Sequence, residues 1–129
     1  MRSEPAVILI IDDEDKIRAG LRDYFEDEGF SVLDAASAEA GLDALTGRHV
    51  DLCTVDIRLP GASGNDFITR ARAGNPALKF LIYTGSADYE LPADLRAIPI
   101  TDDDVFTKPV EHLGLLLAAV NRLLGRTQA

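Results

Sequence analysis

Asp56 lies at the carboxyl end of a short apolar run, Val50 to Ile57, which stops at a polar loop containing Leu59, Pro60 and Gly61. Asp12 and Asp13 follow directly on a second apolar run, Ala6 to Ile11, and open a series of four acids that continues with Glu14 and Asp15. Thr84 follows the run Leu78 to Tyr83, and Lys108 follows the brief run Val105 to Thr107. Mainly apolar runs of this length read as buried strands, and the carboxyl edge of a parallel sheet is where α/β proteins gather ligand chemistry. Three carboxylates packed together repel one another and raise their own pKa values, so the set implies a shared proton or a cation. Oxygen ligands with no nearby Cys or His select a hard divalent ion, Mg²⁺ or Mn²⁺, which keeps waters for a phosphate group to replace. A hydroxyl and an ammonium then suit phosphoryl oxygens, and phosphoryl transfer depends mainly on positioning and charge neutralisation.

Simpler explanations cover part of the pattern. A single aspartate at a strand end often only caps a turn, and a solvated acidic helix start suits the positive end of the helix dipole. The dipole accounts for Glu14 and Asp15, but less well for Asp12 and Asp13, which sit directly against the buried strand.

The elements that must position these residues alternate along the chain. Ile17, Leu21, Tyr24 and Phe25 recur at helical spacing and Gly29 follows as the stop. Phe30 to Ala35 reads as a second strand, and Ser37 caps a second helix with Ala38, Leu42 and Leu45 on one face and Gly47 at its end. After the strand ending at Asp56 and a loop through Pro60, Gly61 and Gly64, Phe67, Ile68 and Ala71 mark a third helix that ends before Gly74. Between Leu91 and Ile98 only a short helix fits, starting near Pro92 and limited by Pro99, and Thr101 to Asp104 forms an acidic turn. From Val110 onward a last helix carries Leu113, Leu116, Val120 and Leu123 as its core stripe, with added apolar width from Leu115, Leu117 and Leu124. That width is either buried or a partner face.

Five strands alternating with five helices predict an α/β fold, a doubly wound parallel sheet of order 2-1-3-4-5 in a flavodoxin-like three-layer sandwich. In that order strands 1 and 3 are neighbours at the switch point, which brings Asp12 and Asp13 beside Asp56 and places Thr84 and Lys108 on the same solvent-facing rim.

Composition limits the alternatives. The 129 residues, 47% of them hydrophobic, suit one domain, 1–129, with a core from about 6 to 125. A net charge of −9 gives direct nucleic-acid binding no electrostatic basis. No apolar run approaches the roughly 18 residues that span a bilayer, and MRSEPA lacks the features of a signal peptide, so a cytoplasmic protein is expected. The lone Cys53 lies inside an apolar strand and reads as a buried structural thiol.

Taken together, LIIDDE at the first strand, VDIRLPG at the third, TGS at the fourth and TKP at Thr107 to Pro109 resemble the receiver domain of two-component response regulators over nearly the whole chain. The resemblance implies phosphorelay signalling rather than an enzyme in the usual sense. Asp56 would accept a phosphoryl group from a histidine kinase or histidine phosphotransfer protein. Asp13, Asp56 and the Arg58 carbonyl would contact Mg²⁺ directly and Asp12 through water, while Thr84 and Lys108 would sense the phosphate. The resemblance also implies a cis peptide between Lys108 and Pro109 and an unidentified downstream protein target, while the apolar width of the last helix offers a surface for a partner or for a second copy in a homodimer. With the chain ending just after that helix, a stand-alone regulator or an excised receiver is expected.

Two departures stand out. Val105 occupies the place of the family's switch aromatic, three residues before the lysine, and Phe106 falls on the other face of the strand. The stretch from Thr84 to Lys108 is longer than the family pattern, with Asp102, Asp103 and Asp104 replacing the usual Gly-Ala turn. The response should therefore concentrate in the loop after Thr84 and in Leu91 to Asp104. Competing readings are a degenerate receiver that acts as an interaction module and an aspartyl-nucleophile phosphatase, although the latter wants an Asp where Arg58 stands. A flavodoxin-like cofactor binder fits less well, because Asp12 to Asp15 would repel phosphate without a metal. His49 and His112 read as surface or helix-start residues.

Overall fold

Alternation along β1 (Val7–Ile11) shows how the layers form. Ile8 and Ile10 face one side of the sheet and Leu9 and Ile11 the other, and all four are buried. A strand covered on both faces has no polar side, which is why its sequence is apolar throughout. The computed structural model describes residues 5–86, 88–96 and 100–125. Five parallel strands, with β2 (Ser31–Ala35), β3 (Leu52–Val55), β4 (Lys79–Thr84) and β5 (Val105–Thr107), stand in the order β2-β1-β3-β4-β5, as expected.

Two core clusters flank the sheet. On one face α1 (Asp15–Asp27) contributes Leu21 and Phe25, and α5 (Gly114–Leu123) contributes Leu116, Ala119 and Val120. On the other, Phe67, Ile68 and Ala71 of α3 (Gly64–Gly74) pack with Ala38 of α2 (Ala38–Leu45) and Leu95 of the one-turn α4 (Ala93–Arg96). Full burial of a side chain such as Phe25 or Phe67 contributes about 1.5–3 kcal/mol each. Ser37 caps α2 by accepting the Ala40 N–H at 3.1 Å, as its position predicts.

The differences from the sequence expectation have local causes. Strand β3 is shorter than the run Val50 to Ile57; just before it, Asp51 pairs by its backbone with Val7 and Lys79 and its carboxylate also accepts the Val7 N–H at 2.8 Å. The last helix begins at Gly114 rather than Val110, and the Val110 N–H is directed at the Tyr83 hydroxyl, 3.4 Å away. Of its extra apolar width, Leu117 and Leu124 pack against the core and Leu115 remains 38% exposed. Gly64 starts α3 instead of belonging to the loop: a Cβ there would stand 2.8 Å from the Ile57 Cα and collide with the Asp56 carbonyl, so only glycine lets the helix approach. The short α4 is present, while the stop expected at Pro99 lies outside the described residues. Residues Asp102–Asp104 form a 3-10 turn, but Asp104 is 2% exposed, where an acidic turn suggests solvent. Its carboxylate accepts the Thr101 N–H at 3.0 Å and Arg122 Nη1 of α5 at 2.9 Å.

Candidate functional site

The register of the sheet carries the site. Ile11 pairs with Val55, and the Asp56 N–H donates to the Ile11 carbonyl at 2.9 Å, so Asp12 and Asp56 emerge side by side one residue beyond two neighbouring strands. The Lys108 N–H donates to the Thr84 carbonyl at 2.8 Å, which fixes the lysine just past β5. The peptide that follows, Lys108 to Pro109, is cis, as the resemblance implied.

Lys108 Nζ lies 2.6 Å from Asp12 Oδ2, 3.1 Å from Asp56 Oδ2 and 3.2 Å from Glu14 Oε2. The Lys108 side chain is 9% exposed, so the ammonium sits in a pocket and not on an open rim as the sequence suggested. Asp12 and Asp56 are 2% and 5% exposed, whereas Asp13 and Glu14 face solvent. Carboxylate oxygens of Asp12, Asp13, Glu14 and Asp56 all come within 4.8 Å of one another. This oxygen-only donor set, half buried and half solvated, fits a hard divalent ion that retains some of its waters.

One ammonium is therefore shared by three carboxylates. Burial tends to neutralise Lys108, but its hydrogen bonds to Asp12 and Asp56, together with their charges, outweigh burial and hold its pKa above the ordinary lysine value. Asp12 is raised above the usual carboxylate value, chiefly because burial disfavours its charge, with Asp56 adding repulsion; the bonds from Lys108 and Glu14 oppose this without cancelling it. The two directions are compatible, because the lysine has several carboxylates in contact while the Asp12 carboxylate shares that lysine with Asp56 and Glu14.

Backbone groups complete the cradle. The Glu14 N–H donates to Asp12 Oδ1 at 2.9 Å and so fastens the start of α1 to the buried acid. Arg18 Nη1 donates to the Asp12 carbonyl at 2.8 Å. The Arg58 N–H donates to Asp56 Oδ1 at 3.3 Å, which folds the loop after β3 back over the carboxylate. Thr84 is fully buried at the neighbouring strand end, and its hydroxyl accepts the Ser86 N–H at 3.3 Å.

The structure thus brings Asp12, Asp56 and Lys108 into direct contact, adds Asp13 to the carboxylate group, and places Thr84 on the same sheet edge with its hydroxyl engaged by its own loop. Sequence reasoning missed Glu14, which the helix dipole seemed to explain, and Arg18, whose signal would have been its position one helical turn beyond the acids. Cys53 is buried and burial pushes its thiol pKa up, consistent with a structural role. His49 is exposed and pairs with Asp51 at 2.8 Å, away from the carboxylate group.

Comparison with known proteins gives consistent findings. Residues 8–121 match the sequence model of a family described as the response regulator receiver domain. The transcriptional regulatory protein YvrH of Bacillus subtilis is 35% identical over 125 residues, covering 96% of this chain and 51% of that protein. The chain spans between about a quarter and somewhat over half of the curated relatives it matches. A CheY-like receiver domain protein from Methanospirillum hungatei superposes with a TM-score of 0.79 at 29% identity, over 93% of this chain and 94% of that one. TrrA of Thermotoga maritima, solved in complex with Mg²⁺ and BeF, gives a TM-score of 0.80 at 26% identity over 92% and 99% of the two chains. TrrA has also been solved in complex with the histidine kinase ThkA.

Proposed function

Because the chain belongs to the response regulator receiver domain family, we propose that Asp56 accepts a phosphoryl group from a phosphohistidine and that the resulting charge switches the conformation of the domain. The observation that carries this reading is the contact of one lysine with Asp12 and Asp56, at 2.6 and 3.1 Å, inside a group of four carboxylates. In the proposed step Asp56 Oδ attacks phosphorus, the new O–P bond forms as the N–P bond breaks, and the released imidazole takes up a proton. Lys108 leaves its bond with Asp56 for a phosphoryl oxygen, and the Thr84 hydroxyl donates to another. Asp12, Asp13, Asp56 and the Arg58 carbonyl, with Glu14 as an added carboxylate, would hold Mg²⁺, which would supply neutralisation of the phosphoryl oxygens.

The binding of Mg²⁺ and BeF by TrrA supports the metal assignment. The TrrA–ThkA complex supports a histidine kinase, or a histidine phosphotransfer protein of the same chemistry, as donor. The proposed receiver unit is residues 1–129 with its core from about 6 to 125, acting in the cytoplasm on a downstream protein. Exposed Leu115 on α5 makes that helix the proposed contact for the target or for a second copy. Among the described residues no helix is long and apolar enough to cross a membrane.

Incubation with acetyl phosphate and Mg²⁺ followed by mass spectrometry tests the reading. One phosphoryl group on Asp56 is expected, lost in Asp56→Asn and in excess chelator. Undiminished labelling in that variant would overturn the site. A chain that takes no phosphoryl group yet binds its partner would be the degenerate receiver, and steady release of phosphate from an organic phosphomonoester would indicate the phosphatase.

A further inference from the structure

The loop after β4 is tied to α3 by a hydrogen bond with no part in the metal or phosphate chemistry. Tyr89 Oη donates to Asn65 Oδ1 at 2.7 Å. The Tyr89 ring is half-buried against the core cluster on the α2/α3 face, the same cluster that Val105 meets, while Phe106 packs on the opposite face. An aromatic side chain from the loop therefore lies on the face where β5 offers only valine.

Both ends of this contact lead back to the site. Asn65 follows Gly64, whose N–H donates to the Ile57 carbonyl at 2.9 Å and whose missing Cβ lets α3 press on the Asp56 backbone. At the other end the Tyr89 N–H donates to the Ser86 carbonyl at 3.2 Å, and the Ser86 N–H donates to Thr84 Oγ1 at 3.3 Å. A hydroxyl can give its proton to a phosphoryl oxygen and still accept an N–H. When Thr84 is drawn toward a phosphoryl group, Ser86 follows its hydroxyl and Tyr89 follows Ser86. The phenol-to-amide bond weakens steeply once its geometry is displaced.

We propose that Tyr89 is the positioning residue of the switch: its bond to Asn65 holds the resting loop against α3, and displacement of the Thr84 hydroxyl releases it. The inference rests on Asp56 as phosphoacceptor and assigns to Tyr89 the coupling that an aromatic at position 105 cannot supply here.

The three tyrosines, Tyr24, Tyr83 and Tyr89, permit a direct test. The protein is labelled with 3-fluorotyrosine, its signals are assigned by Tyr→Phe variants, and fluorine NMR is recorded as beryllofluoride is added with Mg²⁺. The Tyr83 ring, 5.9 Å from Lys108 Nζ, reports occupancy, and Tyr24, edge-on to Phe25 in α1, is the control. Tyr83 and Tyr89 are expected to move together while Tyr24 stays. Because the lost bond belongs to the resting state, Tyr89→Phe should lower the half-saturating beryllofluoride concentration by about threefold, the effect of one hydrogen bond of ordinary strength. Asn65→Ala should do the same, and the double variant should add nothing further. A moving Tyr83 with a stationary Tyr89, or a Tyr89→Phe variant that is less stable but binds beryllofluoride unchanged, would overturn the proposal. A silent Tyr83 would overturn the Asp56 reading and this inference with it.

Discussion

The three aspartates buried among the described residues meet basic residues in different proportions. Asp104 has its own arginine, Arg122, at 2.9 Å and the Thr101 N–H at 3.0 Å, so one carboxylate faces one cation and a capping donor. Asp12 and Asp56 share a single lysine with Glu14. The first arrangement is neutralised within the chain and fastens the turn before β5 to α5. Among the described residues, the second leaves more carboxylate charge than its one contacting lysine can balance, an arrangement that suits a bound cation.

Removing each cation in turn is the most forceful way to break this contrast. Lys108→Met should destabilise the metal-free fold by about 3 kcal/mol, because two buried carboxylates lose their shared ammonium. Millimolar Mg²⁺ should restore much of that loss by linkage. Arg122→Met strands one buried carboxylate but removes a half-exposed arginine, so a smaller loss of about 2 kcal/mol is expected, and Mg²⁺ should not restore it. Urea titrations with and without Mg²⁺ measure both, and equal Mg²⁺ responses would erase the distinction.

A substitution on the acidic side works in the opposite direction. Asp12→Asn should raise metal-free stability at neutral pH, since it removes a carboxylate whose charge is disfavoured by burial, and should weaken the gain on adding Mg²⁺. A thermal scan that finds the variant less stable without metal would show that Lys108 already balances the group.

The smallest effect is in pH. Asp12 is raised in the fold, so between its ordinary value of 3.8 and its higher native value the native state binds more protons than the unfolded chain. This group therefore stabilises the metal-free fold as pH falls through that window and costs stability as pH rises through it. Mg²⁺ competes with the same proton, so its affinity should decline as pH falls through the window. Asp12→Asn should flatten the decline, which calorimetric Mg²⁺ titration can follow.

The fold was legible because doubly covered strands must be apolar throughout, and β1, β3 and β4 each run without interruption into the polar residues that mark the sheet's carboxyl edge. The same feature revealed Asp12, Asp56 and Thr84. Glu14 escaped because any acid in a first helical turn has a sufficient local explanation; its contact with Lys108 depends on a strand 94 positions away. Asp104 escaped for a related reason, since three consecutive aspartates read as solvated until Arg122, far along the chain, shows which one is buried. The late start of α5 was hidden because Val110 and Leu113 continue a plausible helical period, while the tyrosine hydroxyl that takes the Val110 N–H lies on another strand.

The absence of a methyl group at position 64 has a mechanical consequence. With α3 pressed onto the Asp56 backbone, the residue proposed to gain a phosphoryl group has a helix start packed directly behind it, with no room there even for a methyl group. Opposite lies the Thr84 loop, in which the Ser86 N–H donates to the Thr84 hydroxyl and the Tyr89 hydroxyl to Asn65. Under the proposed phosphorylation the response should fall mainly on the Thr84 side, and Gly64→Ala, which forces α3 away from Asp56, should spread it to both sides.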